Sequence, residues 1–549
     1  MCGIFFVKKN EDISAEKVYL EFEKSKNRGG IPPDDTKFYE IGEYYLGFHR
    51  LSINGINVES NQPFFKNGTY VICNGEIYNY KELYSYIGIK PLTDSDCEII
   101  IDLYQLYPID YFINLLDGVF SFIIYDTRKN LVMIGRDPFG VRPLYHSRDY
   151  NYFSSELKQI NNLTNETITQ FPPGHFLIKN SKTKVTNVTN ATNVTNVTNV
   201  TNVTNVLNKY HVLTQYYMPL CNQFKNFVDE RNYYKSLIKG TLINAVKKRL
   251  LSDRPIACLL SGGLDSSLIT SIVVNLLKDK TNNKLETFSI GLLGSTDLVY
   301  AKNVANYLGT KHTEILLSED DFFNAIPEVI EKIESYDTTT VRASVGNYLI
   351  SKYISQHSEA KVIFNGDGSD ELTGGYLYFH RAPNSLLFDF EVKHLLQNIH
   401  YFDVLRSDRS ISSCGLEPRT PFLDKTFVNT YLSIPLYYRK PEGNEIEKKI
   451  LRDSFIEFLP KDVLYRKKEA FSDGVSGNDR SWYQVIAEKL DQVNIPIFKH
   501  NEEYLSPKTK EQMYYRYLFE QKYPKRENVI PYFWMPKWSN TTDPSARTL

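Results

Sequence analysis

A chain of 549 residues is long enough for two or three domains with large buried cores. Its 42% hydrophobic and 23% charged residues are the composition of a soluble globular protein, not a disordered one. Lys+Arg 64 against Asp+Glu 65 leaves a net charge of −1, which supplies no long-range field for nucleic acid or an anionic membrane, so small-molecule partners are expected.

The start, Met1-Cys2-Gly3-Ile4-Phe5-Phe6-Val7, runs straight into Lys8-Lys9-Asn10, an apolar stretch too short for a signal peptide. No window approaches the roughly 20 apolar residues of a membrane span. Six cysteines (Cys2, Cys73, Cys97, Cys221, Cys258, Cys414) without a CxxC pair indicate neither a disulfide framework nor a zinc site. A reduced, cytoplasmic protein is expected. If Met1 is removed, Cys2 carries both a thiol nucleophile and an α-amine of pKa about 8 that can serve as its base.

Short apolar runs follow, among them Tyr70–Cys73, Val119–Tyr125 and Leu131–Ile134, alternating with turns and with one helix near Cys97 to Tyr107. That is an α+β pattern rich in antiparallel strands. Thr186 to Val206 is seven Thr-Asn-Val/Ala triplets, a period that suits neither helix nor strand, and reads as a disordered insertion. Its flanks, Phe176–Lys179 and Tyr210–Leu213, look like strands, so the tract should lengthen a hairpin loop. After about Tyr233 the pattern becomes strand, glycine turn, helix, at Ile256–Leu260, Glu286–Ile290 and Lys361–Phe364, which implies an α/β domain with a parallel sheet.

The sharpest local signal is Leu259-Leu260-Ser261-Gly262-Gly263-Leu264-Asp265-Ser266-Ser267, a strand end opening into a helix with apolar residues at 268, 269, 272, 273, 276 and 277. Glycines permit close backbone approach, and hydroxyls and the helix N-terminus offer donors, so the turn suits phosphate. It lacks the lysine of a P-loop, and Asp265 would repel phosphate unless a divalent cation lay between them. The alternative is a plain strand–helix turn with Ser/Asp capping.

Ser261 to Ser266 resembles the pyrophosphate loop of ATP pyrophosphatases. With Gly291–Leu298, Thr339–Ser344, Gly366–Leu372 and Tyr376–His380 the likeness narrows to asparagine synthetase, glutamine-hydrolysing type. Near the N-terminus, His49–Ile53, Asn74–Asn79, Ser95–Glu98 and Gly135–Tyr145 follow in the order of class II glutamine amidotransferases, and the likeness continues to Pro531–Met535 and Asp543–Arg547.

The resemblance implies an N-terminal nucleophile (Ntn) hydrolase αββα sandwich over residues 1–215, carrying the insertion at 186–206. An α/β parallel-sheet ATP-pyrophosphatase domain, adenine nucleotide alpha hydrolase-like, would occupy 216–549. It implies L-glutamine, L-aspartate and ATP as substrates, β-aspartyl-AMP as intermediate, Mg²⁺ as cofactor and an ammonia channel between the domains, and it allows a homodimer. Cys2 would be the nucleophile. Asn74, through its side chain, and Gly75, through its backbone on a strand-end turn, could form an oxyanion hole. Arg50 can fork onto the α-carboxylate of glutamine and Asp96 can pair with its ammonium, with Leu51, Ser52, Ile53, Asn54 and Glu76 in the same site.

In the second half, by resemblance, Leu259, Ile290 and Gly366 contact the adenylate through backbone, and Ser261, Gly262, Gly263, Ser266 and Asn365 complete the ATP site. Asp265 and Asp370 would hold Mg²⁺ and pyrophosphate, Thr339, Thr340 and Arg342 would orient aspartate, and Lys468 would stabilise charge on phosphorus. The chain departs from the family at Arg28–Asp34, at His49, where an acidic residue is common, and at Asp367, where many relatives carry Glu. A sugar-phosphate amidotransferase would not need the Ser261–Ser267 turn, and a β-lactam-forming synthetase would not need Cys2.

Overall fold

The computed structural model describes residues 1–180, 205–213, 227–278, 283–477 and 479–545. The triplet tract through Thr204, Cys221 and the Ala546-Arg547 end of the last family motif lie outside the described residues. Two compact units follow one another, Met1–Val212 and Leu213–Leu549. No helix among the described residues is long and apolar enough to cross a membrane.

The first unit is two six-stranded antiparallel sheets. One runs, edge to edge, Ile168–Gln170, Tyr145–Ser147, Tyr152–Ser154, Gly3–Lys8, Tyr44–Arg50, Asp35–Ile41. The other runs Val206–Lys209, His175–Asn180, Leu131–Arg136, Gly118–Asp126, Thr69–Ile77, Phe64–Lys66. The alternation of side chains along each strand assigns the two faces. Ile4 and Phe6 meet Ile72, Ile123 and Leu177 in the core between the sheets. Val71, Cys73, Phe120 and Phe122 turn the other way, onto Ile100, Leu103 and Phe112 of an outer helical layer. On the first sheet's far side the helix Ala15–Glu23 lays Phe22 against Phe5, ring centroids 5.6 Å apart. These are the four layers of the αββα sandwich.

Two local expectations shift. The hairpin around the triplet tract exists, with Phe176 opposite Asn208, but its second strand is Val206–Lys209 and not Tyr210–Leu213. Val206, counted in the tract, opens that strand. Asn74 and Gly75 lie inside the nine-residue strand Thr69–Ile77, opposite Ser121 and Phe120, and not on a strand-end turn. Glycine fits there because a Cβ at position 75 would stand 2.3 Å from the carbonyl oxygen of Val119, so the two strands close up without a break.

The second unit is built on a five-stranded parallel sheet ordered Lys311–Leu316, Glu286–Gly291, Ile256–Leu259, Val362–Phe364, Glu417–Arg419. The chain starts in the middle at Ile256–Leu259, adds two strands on one side, then crosses to add two on the other. The strand order therefore reverses between Ile256–Leu259 and Val362–Phe364, and the crevice at the carboxyl ends of these two strands is where an open α/β sheet binds its ligand.

Two histidines are sealed into the first unit. His49 stacks on Phe22 with centroids 3.9 Å apart, its Nε2 3.2 Å from the Phe22 carbonyl oxygen and its Nδ1 3.1 Å from Thr36 Oγ1. His146 stacks on Tyr150 at 4.7 Å, its Nδ1 2.9 Å from the Ser147 carbonyl oxygen. Burial pushes each ring down to about 4, against an ordinary value of 6.5. The unfolded chain takes up these protons below about pH 6.5 while the folded unit refuses them, so their stabilisation is complete above that pH and is lost toward about 4. By about pH 5 the loss is about 2 kcal/mol per ring. The urea midpoint should therefore fall between about pH 7 and 5, and His49→Gln and His146→Gln should each make that fall smaller; an undiminished fall in both would contradict the assignment.

Candidate active sites

In the first unit Cys2 begins the strand that enters the sandwich at Gly3. Its Sγ lies 3.6 Å from the Leu51 carbonyl oxygen, and Arg28 Nε donates to the Cys2 carbonyl oxygen at 2.9 Å. Arg28 is fully buried and paired with Glu156 at 3.3 Å. This anchor was not singled out from the sequence, where Arg28 sits in a loop that departs from the family. The same loop ends at Asp34, whose Oδ2 accepts from the Ser52 backbone N–H at 2.7 Å, so its different sequence still fastens the segment after Arg50.

Arg50 directs its guanidinium into the loop that follows it, donating to the Asn57 carbonyl oxygen at 3.0 Å and to Asn61 Oδ1 and the Gly55 carbonyl oxygen. Asn54 Nδ2 donates to Glu76 and reaches Asp96 Oδ1 at 3.5 Å, and Asp96 Oδ2 accepts from the Ile77 N–H at 2.6 Å. These polar groups form one network around Leu51, Ser52 and Ile53, all buried. Against it, the amide of Asn74 stands out: fully buried, with neither Nδ2 nor Oδ1 hydrogen-bonded. A buried amide without partners costs stability.

In the second unit a cavity of ≈ 200 Å³ opens at the strand-order reversal. The Leu259–Ser266 turn and Asn365–Asp367 form its floor, Ser289 and Ile290 one side, and Thr339, Thr340, Ala343 and Asn347 of the helix Thr338–His357 another. The helix Leu264–Leu277 is capped by backbone, with Gly263 at its N-cap and no side-chain capping bond. Asp265 is therefore no cap. Its carboxylate accepts from Ser369 Oγ at 2.7 Å and from Lys448 Nζ at 2.8 and 2.7 Å. Gly262 does not line the cavity; it turns at φ 75°, where a Cβ would meet Tyr300 and Ala301.

Lys448 is the residue the sequence concealed. Its Nζ lies 2.7 Å from Asp265 and 2.6 Å from Asp370, and Lys468 Nζ adds a second cation 2.6 Å from Asp370. Burial pushes the Asp370 carboxyl up, but the two lysines more than reverse this and hold it below the usual carboxylate range. Burial likewise lowers Lys468, and Asp370 and Asp265 return it above its ordinary value. Lys448 takes φ 61°, a left-handed backbone rare for a residue with a side chain. Glu447-Lys448-Lys449 reads as a solvated charge run, and nothing in the spacing reveals that turn.

Asp367 is largely buried, its side chain 14% exposed, and desolvation raises its carboxyl, with Arg406 opposing at 2.8 Å and Asp403 adding to it. Arg342 is not brought to the cavity. Its guanidinium donates to both oxygens of Glu511 at 2.8 and 2.5 Å and both of Asp543 at 2.8 and 2.7 Å, because it points off the helix face that Thr339, Thr340, Ala343 and Asn347 present. Every other residue expected in the ATP and aspartate sites lines the cavity, Gly262 excepted.

Residues 237–395 and 388–540 match the asparagine synthase family, and residues 1–217 match the glutamine amidotransferase domain. The chain is 40% identical, over 576 aligned positions covering 100% of it and 98% of the relative, to asparagine synthetase [glutamine-hydrolyzing] of Mesocricetus auratus. The Homo sapiens protein of that name gives the same figures, 40% identity, 100% and 98% coverage. Among solved structures, that of the allosteric regulatory enzyme of purine biosynthesis overlays loosely, at 12% identity and TM-score 0.30, on 57% of this chain and 80% of its own.

Replacing Lys448 by Met removes the shared cation from two largely buried carboxylates and should cost about 3 kcal/mol of stability. Adding Asp370→Asn to Lys448→Met should recover part of that loss, because one of the stranded charges disappears. Additive losses in a urea double-mutant cycle would show that the pair does not couple through Lys448.

Proposed function

The chain belongs to the glutamine-hydrolysing asparagine synthetase family, and on that premise we propose how its residues divide the reaction. The enzyme is an ATP-dependent ligase that amidates L-aspartate to L-asparagine with nitrogen from L-glutamine. In the first unit, once Met1 is removed, Cys2 Sγ attacks the side-chain amide of glutamine and its α-amine takes the thiol proton and passes it to the departing ammonia. The partnerless amide of Asn74 supports an oxyanion role, since Nδ2 gains a partner as the carbonyl oxygen becomes negative. Water then releases glutamate from the thioester. The Arg50, Asn54, Glu76 and Asp96 network supports recognition of a free amino acid, which carries both charges.

In the second unit a β-carboxylate oxygen of aspartate displaces pyrophosphate from the α-phosphorus of ATP, and ammonia then displaces AMP from the acyl carbon. The activation is needed because a carboxylate has no leaving group. The observation that carries this assignment is the charge array at the cavity: Asp265 and Asp370 with Lys448 and Lys468 beside the Gly262–Ser266 turn. Lys468 and Lys448 are the groups to stabilise charge on the phosphoryl oxygens. Asp265 and Asp370 fit Mg²⁺, since a single cation, Lys448 Nζ, already spans both, and phosphate oxygens and water would complete a hard-cation shell. Bound there, Mg²⁺ would neutralise the leaving pyrophosphate. Asp367, a carboxyl raised by burial, can accept the proton that ammonia sheds. Thr339, whose Oγ1 is buried without a hydrogen bond, and Thr340 are proposed to orient aspartate.

Cys2→Ala should abolish glutaminase and glutamine-dependent synthesis and spare synthesis from free ammonia; retained glutamine-dependent activity would sink the nucleophile assignment. Asp265→Asn should do the reverse. The backbone-capped helix survives, aspartate-dependent pyrophosphate release falls by about 10² or more, and glutamine hydrolysis persists. Pyrophosphate release at the parent rate over a range of Mg²⁺ concentrations would withdraw Asp265 from the reaction.

A further inference from the structure

One wall of the second unit's cavity is a segment without strand or long helix, Arg466 to Ser472, which also carries Lys468. It is fastened to the start of the helix Thr296–Leu308. Ser295 Oγ donates to the Gly474 carbonyl oxygen at 2.7 Å, Leu292 N–H donates to the Val475 carbonyl oxygen at 2.7 Å, and Thr296 Oγ1 donates to Glu469 at 2.8 Å. At the centre of this fastening lies Arg466. Its Nη2 donates to Asp297 Oδ1 and to Glu469 Oε2, both at 2.9 Å, with Thr296 Oγ1 at 3.5 Å, and the guanidinium carbon lies 4.1 Å from the centroid of the Tyr300 ring.

Those contacts fix the guanidinium plane and use one terminal nitrogen. The other, Nη1, is buried and has no hydrogen-bond partner, in a side chain only 7% exposed that lines the cavity. An orphaned arginine nitrogen in a cavity wall calls for an anionic acceptor from the ligand. Tyr300 locates it. A Cβ at Gly262 would lie 2.3 Å from Ala301 N and 2.6 Å from Tyr300 Cβ, so the backbone of the helix that carries Tyr300 abuts the glycine turn, and Arg466 lines the same cavity as Ser261 and Gly263. Arg466, Lys467 and Lys468 thus present three successive cations to the cavity, facing Asp297 and Glu469 on one side and Asp265 and Asp370 on the other. Eight carboxylates and six cations line the cavity in all, so its cations are largely engaged by carboxylates, and the stacked, pre-oriented guanidinium of Arg466 is the one that keeps a buried nitrogen for a phosphate oxygen.

We propose that Arg466 is a nucleotide-binding residue, its Nη1 donating to the pyrophosphate portion of ATP at the Gly262–Ser266 turn, with Asp297, Glu469 and Tyr300 as the residues that position it. This rests on reading the cavity as the adenylation site. Aspartate-dependent pyrophosphate release by the parent enzyme tests that reading by itself, and comparison of variants with the parent tests the role of Arg466.

The test uses the full-length enzyme and inorganic pyrophosphate, AMP and aspartate as separate probes. In Arg466→Met the inhibition constant for pyrophosphate and the KM for ATP should each rise at least about tenfold, the size of one lost charge-assisted hydrogen bond, while AMP inhibition and the KM for aspartate stay at parent values. Arg466→Lys, which keeps the charge but not the fork, should retain part of the pyrophosphate affinity. Unchanged AMP inhibition is the internal proof that the second unit is folded. Should Arg466→Met not fold, Glu469→Gln frees the guanidinium from one restraint and should raise the pyrophosphate constant several-fold with AMP unaffected. Parent-like pyrophosphate inhibition in folded Arg466→Met overturns the proposal, as does a change confined to aspartate or AMP, which would assign Nη1 to another group.

Discussion

Two carboxylates cannot be buried side by side at the end of a parallel sheet unless something positive lies between them. Lys448 meets that constraint, spanning Asp265 and Asp370. Those three residues come from the first turn of the helix Leu264–Leu277, the short helix Ser369–Thr373 and the residue preceding the helix Lys449–Ser454. Electrostatic necessity therefore holds together segments far apart in the chain, and it does so at the place where the strand order reverses and a crevice must exist. Lys468, reaching the same carboxylates from yet another segment, closes the wall. The local stability of the fold and the proposed adenylation chemistry rest on one cluster.

The first unit obeys a different constraint. In the proposed mechanism its nucleophile, Cys2, must be held as firmly as a strand interior although it lies next to the chain's first residue. Pairing of Gly3 with His49 and of Ile4 with Phe48 brings the N-terminus into the sheet, and Arg28 grips the Cys2 carbonyl oxygen from below. Arg28 is itself immobilised by Glu156, buried 1% exposed on both sides. A terminal residue so anchored loses little entropy on reaction, which is the positional part of catalysis.

What the sequence reveals and what it hides follow from the range of the forces involved. Short apolar runs such as Val119–Tyr125 and the strand–turn–helix at Ile256–Ser267 disclose both fold classes, because their signal is local burial. The glycine turn likewise announces itself through backbone requirements confined to a few residues. Lys448 is invisible by the same logic: it sits in a charged run, and its partner Asp265 is 183 residues away, just as the contact of Arg406 with Asp367 spans 39. Arg342 is the converse case. Its motif suggested substrate, but helix geometry turns it away from Thr339 and Thr340, and Glu511 and Asp543, which no spacing rule connects to it, saturate its donors. Asn74 lies inside a strand although Asn-Gly is also a turn signal, and only the close approach of Val119 shows why glycine is there.

The two units also differ in how they stabilise charge, and the difference matches the chemistry each faces. Attack on an amide creates one oxyanion from a neutral carbonyl, so in the proposed mechanism a neutral amide dipole, that of Asn74, suffices. Adenylation starts from a polyanion and an attacking carboxylate, which repel one another before any bond changes. Dipoles cannot offset that repulsion, and formal cations can. In the proposed mechanism Lys448 and Lys468, each paired with Asp265 and Asp370, supply those cations while the cluster's own net charge stays small. The pairing keeps the empty cavity stable, and the arrival of further negative charge draws on cations whose positions were settled when the chain folded.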